Sequence, residues 1–548
     1  ADAIAAIVAQ IQRLRQSGIE EEELSRAKAV LRSDLVYRRE TTQGQAHVLG
    51  YYLSLAGDLD ADRRYYEVLT RLSVQDVREA CARLLAPSTA TLGLVVPQQE
   101  MTAVQVRSLR RHIAACLRPA PKRSKASSIR LRERNGVSWV DLPCGVRLRA
   151  LPDRRVPIAA AWLVWRGGLL REDARRHGAT PVMAELLTRG CAEIDGDALA
   201  REIDGKAAVL DGFSGRSSAG LHVECMAADL PAILTRALQC AVAPNFAADE
   251  LDEERRVALA DFEAEDEDLS KVAVRDVLAR LYTGHPFRFR RRGTPQTLGR
   301  LTATGLRKLW RQWYPLQDMV LGVAGDVELA TVAELVESTI AEALAARPSD
   351  SRTPLPSLAS RQWPRANENM ILRAKEQAHI ALAYPGLAVG DRRGPALEVL
   401  MAVLGGQAGR LFLRLREDEG LVYHVSAAAS EGVSTGDVLL YAATGQDKVV
   451  RAREAIEAEL AAVLAREVSA SELARAQAWL SGQYEAALER RGRLASLVAF
   501  DEIFGLGVGT FFDYRRRIEA VTPRAVRAVA RALLGPDRQI ATVVSAQH

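Results

Sequence analysis

Cysteine is scarce. The six residues Cys81, Cys116, Cys144, Cys191, Cys225 and Cys240 are scattered over 548 positions with no Cys-x-x-Cys spacing. A long, Cys-poor chain needs no disulfide framework, so the thiols read as small buried hydrophobes. Long apolar runs are missing too: stretches such as 157–165 stop well short of the ~20 residues that a membrane-spanning helix needs. Neither sign of charge dominates, since 74 basic residues stand against 69 acidic ones for a net charge of +5. That balance implies no strong steering field and no dedicated nucleic-acid surface. The eight histidines (47, 112, 177, 222, 285, 379, 424 and 548) never stand four apart, which excludes a zinc-binding His pair on one helix face. There is no Gly-x-x-x-x-Gly-Lys-Ser/Thr run, and Gly212-Phe213-Ser214-Gly215 lacks the spacing of a nucleophile elbow. The chain opens at Ala1 inside a helical pattern and without an initiator Met, so the lack of a signal-like stretch says nothing about the compartment of the complete protein.

What is present is ordinary soluble composition in a chain too long for one core, with 48% apolar and 26% charged residues. Self-comparison organises it. Residues 3–98 match residues 452–547 at a constant offset of 449 without a gap. Glu22-Glu23-Leu24-Ser25-Arg26-Ala27 lies on Ser471-Glu472-Leu473-Ala474-Arg475-Ala476, Glu40 on Glu489, Tyr65 on Tyr514, Pro87 on Pro536 and Val95 on Val544. Both copies read as a helix, an acidic or hydroxyl start signal and a long second helix. A capped later helix and a final strand, at 90–96 and 539–545, complete each copy.

Between the copies, residues 98–117 read as an amphipathic connector helix and residues 118–125 as an exposed linker. A fresh α/β unit starts with a hairpin about Pro143-Cys144-Gly145 and a strand over 158–165 closed by Gly167-Gly168. A Pro/Ser-rich linker at 347–360 precedes a last unit, which opens on a strand over 378–384. The basic cluster Arg288-Phe289-Arg290-Arg291-Arg292 and the acidic run at 263–268 read as solvated surface.

Several patterns, in order, resemble the pitrilysin/insulinase family of zinc metallopeptidases. In the middle unit they are Gly167-Gly168, then Gly178-Ala179-Thr180-Pro181-Val182-Met183-Ala184-Glu185-Leu186-Leu187. His285-Pro286-Phe287, Gly293-Thr294-Pro295, Trp313-Tyr314-Pro315 and Gly325-Asp326-Val327 follow. In the last unit they are Gly405-Gly406, Gly409-Arg410-Leu411-Phe412 and Leu415-Arg416-Glu417-Asp418-Glu419-Gly420-Leu421-Val422-Tyr423. The resemblance implies an α+β chain of repeated modules, each a mainly antiparallel sheet covered by helices, closing in halves around a peptide. On that reading residues 1–97 are the C-terminal part of a second module and 98–136 a linker. Residues 137–345 are then a third, inactive module, 346–368 a linker and 369–548 a fourth, substrate-binding module. The first module and the start of the second would lie outside this chain.

The family's zinc motif, His-x-x-Glu-His, falls on Pro181, Ala184 and Glu185, and its distal Glu near Asp261. Pro and Ala offer no donor, so neither a metal site nor a catalytic residue is expected in this chain. Zinc is expected in the missing N-terminal module or on a partner chain, a homologous active subunit. The resemblance assigns substrate binding to Arg416 and Tyr423, whose guanidinium fork and phenol suit a peptide carbonyl or oxyanion. The structural alternative pairs Arg416 with Glu417 or Glu419 and half-buries Tyr423. A non-catalytic scaffold subunit of a peptidase-like complex is the rival function.

Overall fold

The computed structural model describes Leu14 and residues 18–85, 132–134, 136–191, 194–345, 353–356 and 363–546. The strand expected at 90–96, the connector helix at 98–117 and the linker at 118–125 lie outside the described residues. Four helices come first: α1 (Glu21–Arg38), α2 (Thr42–Ala56), α3 (Ala61–Arg71) and α4 (Val74–Leu84).

A seven-stranded sheet follows. Its strands are β1 (Arg132–Arg134), β2 (Val137–Asp141), β3 (Arg147–Pro152), β4 (Ile158–Arg166), β7 (Val209–Ser214), β8 (Ser218–Met226) and β9 (Val320–Gly325). They run in the order β1-β2-β3-β9-β4-β8-β7. A small ribbon, β5 (Gly190–Cys191) with β6 (Ile194–Asp195), stands apart. Helices α5 (Ala179–Leu186), α6 (Leu230–Val242), α7 (Ala248–Glu267), α8 (Leu269–Leu281) and α9 (Leu329–Ala345) are among those of this unit. Strand β4 is apolar along nearly its whole length because both its faces are covered. Ala159, Ala161, Leu163 and Trp165 point into the core shared with α5, α6 and α9, while Ala160 and Val164 point the other way.

The second sheet is five-stranded, with β10 (Asn367–Leu372), β11 (Gln377–Pro385), β12 (Val422–Ser430), β13 (Asp437–Gly445) and β14 (Ile540–Ser545) in the order β10-β14-β11-β13-β12. Helices α10 (Gly394–Leu404), α11 (Val449–Ala465) and α14 (Pro523–Leu533) cover one face, through Leu397, Leu400, Ile456, Val526 and Val529. Helices α12 (Ala470–Ala487) and α13 (Arg491–Ile503) stand between α11 and α14 in sequence. The two sheets share one topology. In each, a single parallel pair (β3 with β9, β10 with β14) adjoins antiparallel neighbours. The fold is therefore α+β and mainly antiparallel, as the resemblance implied.

The 449-residue repeat reappears in the backbone. Helix α1 and α12 span 21–38 and 470–487, α2 and α13 start at 42 and 491, and α4 and α14 span 74–84 and 523–533. The caps correspond as well. Glu20 and Ser469 each form a capping box with the Glu three residues on, Glu23 or Glu472. The Ser73 and Thr522 hydroxyls each accept from the backbone N–H three residues on.

The two sheet units are joined by exchanged helices. From the last unit, α13 crosses to the open face of the seven-stranded sheet, where Leu494, Ala495 and Val498 pack with Val137, Ala160 and Ala324. Ala499 and Ile503 meet Val164 and Val320. The approach is close because Gly322 has no side chain. A Cβ there would stand 2.6 Å from the Ala495 carbonyl oxygen and 2.7 Å from Ala499 Cβ. In return α8 crosses to the five-stranded sheet, packing Ala273, Val277 and Leu281 against Ala381, Ala383, Ile540 and Val544. Polar groups tie both crossings. The Asp276 carboxylate accepts from Thr542 Oγ1 (2.7 Å) and Asn369 Nδ2 (3.0 Å), and Tyr282 Oη donates to Asp437 (2.7 Å). Glu502 accepts from Arg147 and Arg149 at 2.9 and 3.1 Å.

Candidate functional site

Arg416 and Tyr423 lie at the free edge of the five-stranded sheet, where β12 is the last strand. The chain reaches it from a π-helical turn, Phe412–Asp418, and reverses at Gly420 with φ +58°, a conformation that Cβ-bearing residues seldom adopt. Strand β12 then opens with a bulge. Val422 pairs with Thr444 and His424 with Ala443, so Tyr423 is the extra residue between them. A bulge re-aims a side chain, and Tyr423 stands out at 62% exposure. Arg416 Nη1 donates to the Tyr423 carbonyl oxygen at 3.0 Å, and its guanidinium carbon lies 5.3 Å from the Phe412 ring centre. The phenol and the remaining guanidinium donors have no partner among the described residues.

The structural alternative for this pair does not occur. Glu419 is engaged by Arg414 (3.0 Å) and Arg451 (3.5 Å) instead, and Tyr423 is exposed. Arg414 also reaches Glu459 at 2.9 Å. Arg410 grips Glu472 with two bonds of 2.6 and 3.1 Å, which hold that carboxyl down at about 2. These pairs fasten the turn carrying Arg416 to α11 and α12. Partners about fifty residues apart left no trace in local sequence, whereas Phe412 stands four residues before Arg416 and was legible from helical spacing.

Pro181, Ala184 and Glu185, onto which the resemblance put the zinc motif, lie on α5. Pro181 and Ala184 supply no donor, and Glu185 is left with other carboxylates. The α7 carboxyl that feels the charge of Glu185 is Glu254, two turns before Asp261. Asp261 instead pairs with Arg292 at 2.8 Å. Burial, reinforced by the charge of Glu185, pushes the Glu254 carboxyl up to about 7. A carboxyl whose ionisation is opposed by burial, among acids and without a grouped third donor, does not suit zinc. Among the described residues no three His, Cys, Asp or Glu side chains are grouped to hold a metal ion.

Arg290 pairs with Asp266 and lies 3.8 Å from the Phe262 ring centre. Arg275 also reaches Asp266, at 2.7 Å. Arg288 and Arg291 of the basic cluster and Glu263 and Glu267 of the acidic run are exposed, as expected of solvated surface. Among the described residues no helix is long and apolar enough to cross a membrane.

Residues 150–294 match the family model described as Insulinase (Peptidase family M16), and residues 300–480 match the one described as Peptidase M16 inactive domain. An uncharacterized zinc protease of Streptomyces coelicolor is 29% identical over 401 residues, covering 72% of this chain and 86% of that protein. Subunit 1 of the mouse mitochondrial cytochrome b-c1 complex is 23% identical over 243 residues, 44% of this chain and half of that protein. Among solved structures, a peptidase M16 inactive domain from Pseudomonas fluorescens superposes with a TM-score of 0.68 at 20% identity, covering 75% of this chain and 98% of its own. A protease from Helicobacter pylori gives 0.69 at 16% identity, covering 75% and 99%. Shared topology, matched motifs and these likenesses agree: the chain belongs to the insulinase family of peptidases, family M16.

Proposed function

We propose that this chain is the C-terminal, substrate-holding portion of a zinc-dependent metalloendopeptidase that acts on peptides in a closed chamber. Zinc is supplied by an N-terminal module or a homologous active subunit. One observation carries the reading: Tyr423 projects from a bulge on an edge strand, with Arg416 fixed to its carbonyl and both donor groups turned outward. An extended peptide is complementary to such a place, since a sheet edge offers backbone hydrogen bonds and the two side chains offer donors. When a peptide carbonyl becomes an oxyanion, preorganised donors of this kind stabilise the developing charge.

The test restores a zinc-bearing module, in cis or by mixing, and measures peptidase rate. Removing one oxyanion donor costs about 2.7–4 kcal/mol of transition-state stabilisation. Tyr423→Phe deletes only the hydroxyl, so a rate lower by about two to three orders of magnitude at unchanged melting temperature is expected. Arg416→Lys keeps the charge and loses the fork, and is expected to be damaging as well. A Tyr423→Phe rate within about twofold of the parent would overturn the substrate role.

The likeness to cytochrome b-c1 complex subunit 1 favours a second reading, a non-catalytic partner or scaffold subunit. On that reading both substitutions are silent in the reconstituted assay, while assembly with the partner is retained.

A further inference from the structure

The repeat leaves one contact with an unusual relation. Glu489 accepts from Thr42 twice, from the backbone N–H at 2.9 Å and from Oγ1 at 2.6 Å. Glu40 accepts from the backbone N–H of Arg491 at 2.7 Å. Glu40 and Glu489 are repeat mates at offset 449, and so are Thr42 and Arg491. The two bonds are therefore one contact made twice, with the copies exchanged, as across a two-fold axis. Thr42 and Arg491 are the first residues of α2 and α13, and each glutamate stands just before the N-cap of its own helix. A first-turn N–H has no partner within its own helix, and the helix dipole favours a carboxylate there. Each helix start thus receives the carboxylate of the other copy.

We infer that Glu40 and Glu489 form a two-part latch, through which the helical segment 18–85 closes on the two-sheet body. The surface on each side is the start of a helix preceded by a glutamate, and the partner it fits is its own repeat mate. On the body, the latch sits where the exchanged helix is anchored. Arg491 is nearly fully buried, its guanidinium held by Asp153 at 3.1 Å and by the Glu489 carbonyl at 2.6 Å. Trp162 Nε1 donates to the Gly492 carbonyl at 3.1 Å, tying the same turn to β4. On the segment, Tyr37 lies near Glu224 and Cys225 of β8. The latching carboxylate of Glu489 is open to solvent, so the contact is screened by salt and reversible. The inference does not depend on a substrate role for Arg416 and Tyr423.

Hydrogen exchange on the whole chain reads the latch directly, because the amides of residues 42 and 491 owe their protection to these carboxylates. Glu489→Ala is expected to speed exchange at residue 42 by about two- to fivefold, the range for a charge at a helix N-terminus. If the two bonds close together, it also speeds exchange at residue 491, and Glu40→Ala produces the converse pair. The double variant then adds less than the sum of the singles. Glu→Gln at either position retains an acceptor oxygen and is expected to give a smaller change in the same pattern. Raised salt should mimic the substitutions. Changes confined to the amide that the lost carboxylate bonded, or no change at either amide, would overturn the latch. The melting of the two-sheet body is the control, since neither glutamate belongs to its apolar core.

Discussion

Glu254 of α7, beside Glu185, behaves as a buried acid. Burial and the neighbouring Glu185 raise its carboxyl to about 7, against about 4.3 in an unfolded chain. The folded state therefore binds the proton more tightly than the unfolded state does. Its stabilising contribution is present below about pH 4.3 and is lost as the pH rises through about 7. Glu172 and Glu431 are raised to about 7 as well, chiefly by burial, so the chain as a whole is expected to lose stability over this window. Glu254→Gln, which cannot ionise, should flatten the dependence between pH 5 and 7 in denaturant titrations, which makes it the measurement to run. An unchanged slope would assign the effect to the other two acids. Glu472 runs the opposite way. Arg410 holds it at about 2, so its contribution is kept above the ordinary carboxylate range and lost as the pH falls toward 2.

Exchange of α8 and α13 decides how the two sheets hold together. Helix α13 docks through the small residues Ala495 and Ala499 onto Gly322, and no side chain fits between them. Gly322→Ala inserts one methyl into backbone and Cβ atoms that have little room to move. Overpacking of this kind costs about 1–3 kcal/mol. The expected readout is a lowered denaturant midpoint at constant slope. It should come with faster exchange in α13 and little change in α10, which packs on the other sheet. A variant as stable as the parent would show that α13 can lift away at no cost.

Across the whole molecule, the two-sheet body and the helical segment differ in how much they bury. Each sheet unit carries a core of its own, and each exchanged helix builds further cores shared with the other unit, α8 on the five-stranded sheet and α13 on the seven-stranded one. Neither unit can lose its partner helix without exposing the sheet beneath. Residues 132–546 are therefore expected to unfold in one transition, with intrinsic fluorescence and circular dichroism coinciding. Segment 18–85 buries Leu24, Val48 and Leu69 but exposes Leu49, Tyr51, Leu53, Leu55 and Val68. With so few buried contacts, it is expected to open first and exchange fastest. Two separated transitions for residues 132–345 and 363–546 would sink the shared-core account, as would protection of α2 equal to that of α10.

Much of this was legible in the residues. The repeat, the caps at Ser73, Ser469 and Thr522, the strand 158–165 and the turn at Gly420 follow from local rules of periodicity, hydroxyl caps and left-handed backbone. The Arg416–Tyr423 spacing, too, is a property of one short segment. The loss of zinc donors at Pro181 and Ala184 is a matter of side-chain chemistry alone. What only the tertiary structure decided are relations between distant segments. These are the crossing of α8 and α13, the closeness of Glu254 to Glu185, and the pairing of Arg290 with Asp266 of α7. The bulge that turns Tyr423 outward and the paired caps of Glu40 and Glu489 belong with them. A one-dimensional pattern fixes which face of an element is apolar. It does not say which element will cover that face, because packing is chosen among all faces at once.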